Sequence, residues 1–144
     1  MRASEATYNQ LLKEKLSNYE RITVLEGLGD AQKATGLYAN AITSYKEAQD
    51  IAQEKGNIAV AVRLNASIAS TYDLQGSDQE ALESYDETLE LSEQTNSSNT
   101  VRTKTQVADY LNRRQDYDEE ITLRKEVLNT LSEIETDTIS NDDV

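Results

Sequence analysis

The sequence predicts an all-α fold in which antiparallel helix pairs stack as a solenoid. The stretch at 28–57 recurs in altered form at 68–96, which is 40 positions later, and a fixed period of this size is typical of stacked helical repeats. Three glycines, Gly36, Gly56 and Gly76, stand 20 residues apart. Each follows a run of helix formers, and glycine readily takes the left-handed conformation that ends a helix. This spacing gives two helices per repeat, a helix A followed by a helix B.

Residues of matching size stand at equivalent places of the two copies. Small side chains recur where helices are expected to cross, and large ones recur opposite them. The matched pairs are Gly29 with Ala69, Ala41 with Ala81, Leu28 with Ile68, and Tyr45 with Tyr85. A small residue facing a large one lets two helix axes approach to about 8–10 Å. This recurrence in register favours a solenoid over an ordinary helical bundle, and it predicts that both tyrosines are buried.

Seven helices are expected in chain order. The first, over 5–16, corresponds to a helix B with no helix A before it, so it is either a native N-terminal cap or the start of a fragment of a longer protein. Ser17 with Glu20 and Ser77 with Glu80 form capping boxes that open helices A1 and B2. The residues at 94–100 form the longest polar loop. The other expected helices are A1 at 18–35, B1 at 37–55, A2 at 57–75, B2 at 77–93, A3 from Val101, and B3 from Asp116.

The last helix departs from the repeat. Glu120 and Arg124 stand where the earlier B helices carry alanine and tyrosine, at the i and i+4 spacing that favours an ion pair. Because a terminal repeat needs a polar outer face, we interpret this helix as an end cap. Its apolar residues are expected to pack inward, namely Val127, Leu128, Leu131 and Ile134. The repeat domain is predicted over 1–135, and the acidic residues 136–144 are predicted to form a disordered tail.

These residues resemble the tetratricopeptide repeat, which places a Leu-Gly pair in helix A, a Gly-x-Tyr turn, and an Ala, aromatic, Ala ladder in helix B. The first copy carries Leu28, Gly29, Gly36, Tyr38, Ala41, Tyr45 and Ala48, and the second carries Ile68, Ala69, Tyr72, Gly76, Ala81, Tyr85 and Thr88. Leu25, Gln32 and Asn65 depart from the family's aromatic residues in helix A. The 40-residue period is similar to the longer-helix branch of the family, found in kinesin light chains and bacterial signalling proteins. The resemblance implies a right-handed superhelical solenoid of about three repeats plus an N-terminal half-repeat helix.

Composition excludes several kinds of site. The chain has 144 residues with no cysteine and no histidine, so disulfides, thiolate or imidazole ligands and imidazole catalysis are excluded. No apolar run approaches the ~20 residues of a membrane span, and the N-terminal residues lack the apolar segment of a secretory signal. A formal net charge of −13 disfavours nucleic acids and anionic membranes as ligands. We therefore expect a cytoplasmic protein that is not an enzyme and holds no cofactor or metal.

The resemblance implies a concave surface, lined by the A helices, on which a partner binds. Carried over by position, the partner-binding residues are Glu26, Asp30 and Lys33 in A1, Arg63, Ser70 and Asp73 in A2, and Arg102, Asp109, Asn112 and Arg113 in A3. The carboxylate clamp of the chaperone-binding members is not implied, because Glu26 and Asp30 occupy its first positions. Arg63 and Arg102 hold the same position in successive A helices, so we expect them to lie side by side and to bind a carboxylate of the partner.

Three functions follow as hypotheses. The first is an interaction scaffold that binds a partner peptide or protein in the groove. The second is a sensor or regulatory segment of a larger bacterial signalling protein, which the unpaired first helix favours. The third is a structural spacer.

Overall fold

The computed structural model describes the backbone of residues 2–142 and the side chains of residues 4–139. Every regular element within residues 2–142 is an α-helix, which confirms the predicted all-α fold. From α2 to α5 the helices begin and end within one residue of the predicted bounds. The helices are α1 (Arg2–Leu12), α2 (Asn18–Ala34), α3 (Tyr38–Glu54), α4 (Ile58–Gln75), α5 (Asp78–Ser92), α6 (Ser97–Arg113) and α7 (Tyr117–Asp142).

The chain divides into two compact units, Met1–Leu91 and Ser92–Val144. In the first unit α1 packs on α2, α2 on α3, and α3 on α4. Asn65 of α4 also donates a hydrogen bond from Nδ2 to the carbonyl of Ser84 in α5, at 3.0 Å. In the second unit α6 packs on α7. Within each unit, helices therefore pack on their neighbours in the chain, as a helical-repeat solenoid requires.

Local capping explains where α2 begins. Ser17 Oγ accepts a hydrogen bond from Glu20 N at 3.2 Å, and Glu20 Oε1 accepts one from Ser17 N at 3.2 Å. These reciprocal bonds confirm the predicted capping box. The second predicted box, at the start of α5, is not formed, because Ser77 Oγ donates instead to Gln75 Oε1 at 3.2 Å.

Residues with a positive φ angle follow α2, α3, α4 and α6. Gly36, Gly56 and Gly76 have φ angles of 80°, 72° and 82°, so the predicted glycine stops are confirmed. After α6 the corresponding residue is Gln115, with a φ of 65°. Among the described residues, Gln115 is the one non-glycine residue with a positive φ. A side chain in this left-handed region carries a steric cost that glycine avoids.

Tyr45 lies at the centre of the core of the first unit. Its side chain is fully buried, and its ring lies against the backbone of Gly29, where an added Cβ would be 2.6 Å from Tyr45 Cε1. This contact joins α2 to α3 and confirms the predicted packing of a small residue against a large one. The apolar residues of the same cluster are Ile22, Leu25, Ala41, Ile42, Ala48, Ala52, Ala61, Leu64 and Ile68.

Two buried amides occupy helix-A positions where the tetratricopeptide family usually has aromatic residues. Gln32 accepts a hydrogen bond at Oε1 from Ser44 Oγ at 2.7 Å and donates one from Nε2 to Glu5 Oε1 at 3.1 Å. Asn65 donates from Nδ2 to Thr88 Oγ1 at 2.9 Å, in addition to its bond with α5 backbone. A buried amide is tolerated when it is hydrogen-bonded. These bonds therefore link α1, α2 and α3, and separately α4 and α5.

The core of the second unit forms between α6 and α7. Its buried apolar residues are Val107, Ala108, Tyr110, Leu111 and Leu123. At one edge, Lys104 Nζ of α6 lies 3.0 Å from Glu126 Oε2 of α7. The Lys104 side chain is mostly buried, so its aliphatic stem also covers apolar surface.

Three of the four α7 residues that the sequence predicted to pack inward are exposed instead. Leu128, Leu131 and Ile134 are 65%, 46% and 39% exposed, and Val127 is half-buried. The physical reason is that α6 is the other described helix of this unit, and a single neighbour covers one side of a helix. The prediction treated α7 as an end cap, whereas α7 presents apolar side chains to solvent.

The last helix continues to Asp142, although the sequence predicted a disordered tail after residue 135. Thr136 Oγ1 donates to the carbonyl of Ser132, and Thr138 Oγ1 to that of Ile134, both at 2.9 Å. The side chains at 131–139 are all exposed, so local hydrogen bonds rather than packing accompany the helix here. Residues 143–144 of the predicted tail lie outside the described residues, and the domain boundary at 135 stays a prediction.

Candidate protein-interaction surface

Polar side chains of the A helices α2 and α4 meet along a seam of the first unit. Arg63 Nε of α4 donates to Glu26 Oε2 of α2 at 3.0 Å, and Lys33 Nζ of α2 donates to Ser70 Oγ of α4 at 2.7 Å. The two contacts are seven residues apart on both helices, which is about two turns. The seam therefore runs along two parallel A helices and brings together four predicted site residues. We call these four residues the α2–α4 seam.

The register of the seam differs from the sequence repeat. Both contacts join residues that are 37 positions apart, whereas equivalent residues of the two copies are 40 apart. A difference of three residues is close to one helical turn. Arg63 consequently pairs with Glu26 and not with its sequence equivalent, Thr23. Sequence equivalence between the repeats therefore predicts which residues lie on the A helices, but it does not predict which of these residues are in contact.

The two cations of the seam are held in different ways. The Arg63 side chain is 57% exposed, and an exposed ion pair such as Arg63–Glu26 contributes only about 0–1 kcal/mol. Breaking the pair with Glu26 therefore costs little free energy. Lys33 is half-buried and donates to a neutral hydroxyl, so this bond positions the ammonium group without neutralising its charge.

Asp30 has a structural role as well as a place on this face. Its Oδ1 accepts a hydrogen bond from the hydroxyl of Tyr45 at 2.5 Å. Burial raises the pKa of Tyr45, and the bond to Asp30 raises that pKa further. The phenol therefore keeps its proton and donates it in this hydrogen bond. The bond to Asp30 fixes the position of the buried Tyr45 ring.

Asp109 of the second unit repeats this arrangement with a different donor. Asp109 and Arg124 each lie 79 positions after Asp30 and Tyr45, and Arg124 Nη2 donates to Asp109 Oδ1 at 3.0 Å. Arginine thus takes the place of the tyrosine hydroxyl opposite the same aspartate. The predicted i and i+4 pair is also confirmed, since Arg124 Nε lies 2.8 Å from Glu120 Oε1.

Asn112 completes this polar cluster in the second unit. Its Nδ2 donates to Glu120 Oε2 at 3.0 Å, and Glu120 is buried. The hydrogen bond from Asn112, followed by that from Arg124, lowers the pKa of Glu120. Two predicted site residues, Asp109 and Asn112, are therefore engaged in holding α6 to α7.

The remaining predicted site residues differ in exposure. Arg102 and Arg113 are exposed and Asp73 is half-buried. Arg63 belongs to the first unit and Arg102 to the second, so the predicted pairing of these two arginines stays a prediction. All ten predicted residues are thus placed on A helices, and four of them form the seam.

The first unit also contains a cavity that the sequence did not indicate. Its volume is about 190 Å³, and α3, α4 and α5 line it. Lys46 Nζ lies 3.3 Å from Tyr72 OH and 5.8 Å from the centroid of that ring, while Glu80, Glu83 and Glu87 stand on the α5 side. The sequence does show that these glutamates recur at helical spacing and so share one face of a helix. It does not show which helices lie opposite that face, so the cavity could not be predicted.

The described residues contain neither a cluster of metal-ligating side chains nor a membrane-spanning helix. Within residues 4–139, no three acidic side chains converge as a metal site would require. None of the described helices has both the length and the apolar character of a membrane-spanning helix.

Comparison with known proteins agrees with this architecture. No protein of established, curated function matches the chain at a significant level. The profile of a family described as "Soluble NSF attachment protein, SNAP" matches residues 3–141, which is nearly the whole chain. The match supports a helical-repeat family similar to the tetratricopeptide repeat, whereas the kinesin-light-chain-like type stays a prediction. The chain belongs to the soluble NSF attachment protein family.

Proposed function

We propose that this chain is a non-enzymatic scaffold that binds a partner protein or peptide on the faces of its A helices. The observation that supports this most directly is the α2–α4 seam, where four polar side chains from two repeats are held in register. Fixed side chains lose little conformational freedom on binding, which favours affinity. The family, one of helical-repeat scaffolds, supports the same role. A cytoplasmic site of action is part of this proposal.

The partner segment that fits best carries a carboxylate. Arg63 uses Nε for Glu26, and its terminal Nη atoms make no ion pair within the described residues, so the guanidinium can bind a second carboxylate. Arg102 is exposed and makes no ion pair in the described part of the chain. The net charge of −13 repels such a partner at long range. Binding should therefore strengthen as moderate salt screens the field, until salt also screens the local pairs.

Charge reversal tests the proposal. The variant Arg63→Glu/Arg102→Glu should lose partner capture in a pull-down from lysate, because a glutamate at either position would repel a carboxylate of the partner. Its matched control is Lys13→Glu/Lys55→Glu, which makes the same change in net charge at exposed positions outside the A helices. The control should retain capture. Equal capture by both variants and the wild type would place the binding surface elsewhere.

The name of the family indicates the first partner to test. We propose that NSF, or a protein related to it, is among the partners of this chain, since the family is described as NSF attachment proteins. Purified NSF should be retained on the immobilised wild-type chain. The immobilised variant Arg63→Glu/Arg102→Glu should not retain it. If NSF is not retained while other lysate proteins are, the scaffold function stands and this partner is excluded.

A further inference from the structure

Two buried polar groups on the wall of the first-unit cavity have no hydrogen-bond partner in the described part of the chain. Asn65 of α4 is 2% exposed and Ser84 of α5 is 8% exposed, and both line this cavity. Asn65 Nδ2 donates to the carbonyl of Ser84, which can only accept, so the orientation of the amide is fixed. Asn65 Oδ1 is left as an acceptor without a donor, and the Ser84 hydroxyl makes no hydrogen bond within residues 4–139.

Both groups face the open space of the cavity. Among the described residues, every side-chain nitrogen or oxygen that is fully enclosed has a hydrogen-bond partner. Asn65 Oδ1 and Ser84 Oγ have none, so they are not enclosed, and the cavity is the open space that both residues line. A buried polar group without a partner is costly. These two groups therefore indicate that the cavity takes a polar occupant from outside the fold.

The charge of the lining favours a cation as this occupant. The lining residues carry a formal net charge of −2, from three glutamates of α5 and one lysine of α3. No ion pair within residues 4–139 neutralises these carboxylates, which belong to Glu80, Glu83 and Glu87. An acidic lining attracts cations and repels anions.

The lysine of the lining does not occupy the acidic side. Lys46 Nζ lies 3.3 Å from Tyr72 OH and 5.8 Å from the centroid of the Tyr72 ring, so it contacts the hydroxyl edge of the ring. The Lys46 side chain is exposed, and its hydrogen bond is with a neutral hydroxyl. A cation that also bonds to the carboxylates can therefore displace it.

The size of the cavity limits the occupant to the end of one side chain. Its volume of about 190 Å³ equals that of about six water molecules at ~30 Å³ each, and pockets for drug-sized ligands are larger, at roughly 300–1,000 Å³. A guanidinium group suits this lining better than an ammonium group. Its five N–H donors lie in one plane and can bond several acceptors at once, and it stacks on aromatic rings such as that of Tyr72.

We propose that this cavity binds the guanidinium group of an arginine side chain that a partner protein inserts between α3 and α5. The guanidinium donates to Asn65 Oδ1, which is buried, and to the exposed carboxylates of Glu83 and Glu87. Lys46 moves outward as the arginine enters. The cavity shares no residue with the α2–α4 seam, and the inference does not depend on the proposed function of the seam.

N-acetyl-arginine methylamide and its citrulline analogue test this inference. The two probes have nearly the same shape, but citrulline carries a neutral urea in place of the guanidinium. In an NMR titration of the full chain, the arginine probe should shift the side-chain amide signal of Asn65 and the backbone amide signal of Ser84 to saturation. The citrulline probe should bind more weakly by about tenfold or more. Equal binding of both probes, or no shift at either residue, would overturn the proposal. So would binding of methylguanidine about tenfold tighter than that of the arginine probe, since the occupant would then be a free small cation.

Matched variants of the protein locate the site. Glu83→Gln/Glu87→Gln should weaken binding of the arginine probe by about fivefold or more, because charge-assisted hydrogen bonds become neutral ones. Glu47→Gln/Glu54→Gln makes the same change in net charge at exposed positions of α3 that do not line the cavity, and it should keep the affinity of the wild type. All four side chains are exposed, so both variants should fold. Equal weakening by both variants would contradict the proposal.

Removal of the competing lysine gives a second test, in the opposite direction. Lys46→Ala should strengthen binding of the arginine probe by about threefold, because the probe no longer has to displace a cation from Tyr72. Lys55→Ala removes the same charge at an exposed position outside the cavity and should leave the affinity unchanged. Binding weakened or unchanged by Lys46→Ala would contradict the proposal.

Discussion

Gly29 of α2 lies directly against the ring of Tyr45 of α3 in the core of the first unit. A Cβ added at Gly29 would lie 2.6 Å from Tyr45 Cε1 and 2.8 Å from Cδ1. The ring cannot move aside easily, because it is fully buried and its hydroxyl is bonded to Asp30. The separation of α2 and α3 therefore depends on the absence of a side chain at Gly29.

We predict that Gly29→Ala destabilises the protein by about 1–3 kcal/mol, although alanine in a helix interior normally stabilises by about 0.5–1 kcal/mol relative to glycine. Urea unfolding followed by circular dichroism measures the change. Gly27→Ala is the matched control. Its Cβ would lie 2.5 Å from Tyr8 Cε1, but the Tyr8 ring is only half-buried and can shift. A loss from Gly27→Ala as large as that from Gly29→Ala would contradict this reasoning.

The equivalent tyrosine of the next repeat should be as important for stability. Tyr85 is 4% exposed, whereas Tyr19, near the start of α2, is 75% exposed. We predict that Tyr85→Ala costs about 3–5 kcal/mol in the free energy of unfolding, and that Tyr19→Ala changes it by less than about 0.5 kcal/mol. Thermal unfolding of the two variants makes the comparison. Similar melting temperatures for both would show that the repeat register is wrong.

Tyr45 should also make stability depend on pH in the alkaline range. Its pKa is raised by burial and by the bond to Asp30, so the folded chain keeps this proton at a pH where the unfolded chain loses it. The contribution is fully present below about pH 10, the ordinary tyrosine pKa, and decreases as pH rises beyond it. We predict that Tyr45→Phe flattens the alkaline decline of the unfolding free energy by up to about 1.4 kcal/mol per pH unit.

Urea unfolding between about pH 9 and 11 provides this measurement. Tyr19→Phe removes an exposed hydroxyl and should keep the slope of the wild type. The same slope for Tyr45→Phe and the wild type would mean that Tyr45 does not hold its proton in the folded chain.

Gln115 occupies a backbone conformation that suits glycine. Its φ of 65° is close to those of Gly36, Gly56 and Gly76, which end earlier helices. We predict that Gln115→Gly raises the unfolding free energy by several tenths of a kcal/mol, since relief of about 1–2 kcal/mol of steric cost exceeds the added freedom of the unfolded chain. Gly76→Ala should have the opposite effect, although nothing lies within 4 Å of its added Cβ. A melting temperature lowered by Gln115→Gly would refute this explanation.

The sequence predicted the helices well because their signals are local. Glycine stops, the Ser17 capping box and apolar periodicity each act within a few residues, so α2 to α5 matched their predicted bounds. The sequence did not predict where α7 ends, because there too only a local signal was used. An acidic composition after residue 135 indicated disorder, yet backbone and threonine hydrogen bonds continue the helix there to Asp142.

The candidate site was harder to predict, because its contacts depend on how repeats stack. The sequence placed Glu26 and Arg63 on one face, but it could not reveal a 37-residue register in a 40-residue repeat. Leu128 and Ile134 were expected to pack inward, although α7 was interpreted as an end cap. Their exposure in α7 depends on the number of neighbouring helices, which no local pattern records.

Site-specific photocrosslinking tests the central claim most directly. Thr23 of α2 and Thr43 of α3 are both exposed, and each hydroxyl donates to the carbonyl four residues earlier. A photocrosslinking residue at Thr23 lies on an A helix, one turn before Glu26, whereas the same residue at Thr43 lies on a B helix. We predict partner adducts from Thr23 and none from Thr43. Adducts from Thr43 alone, or equal yields from both positions, would contradict binding on the A-helix face.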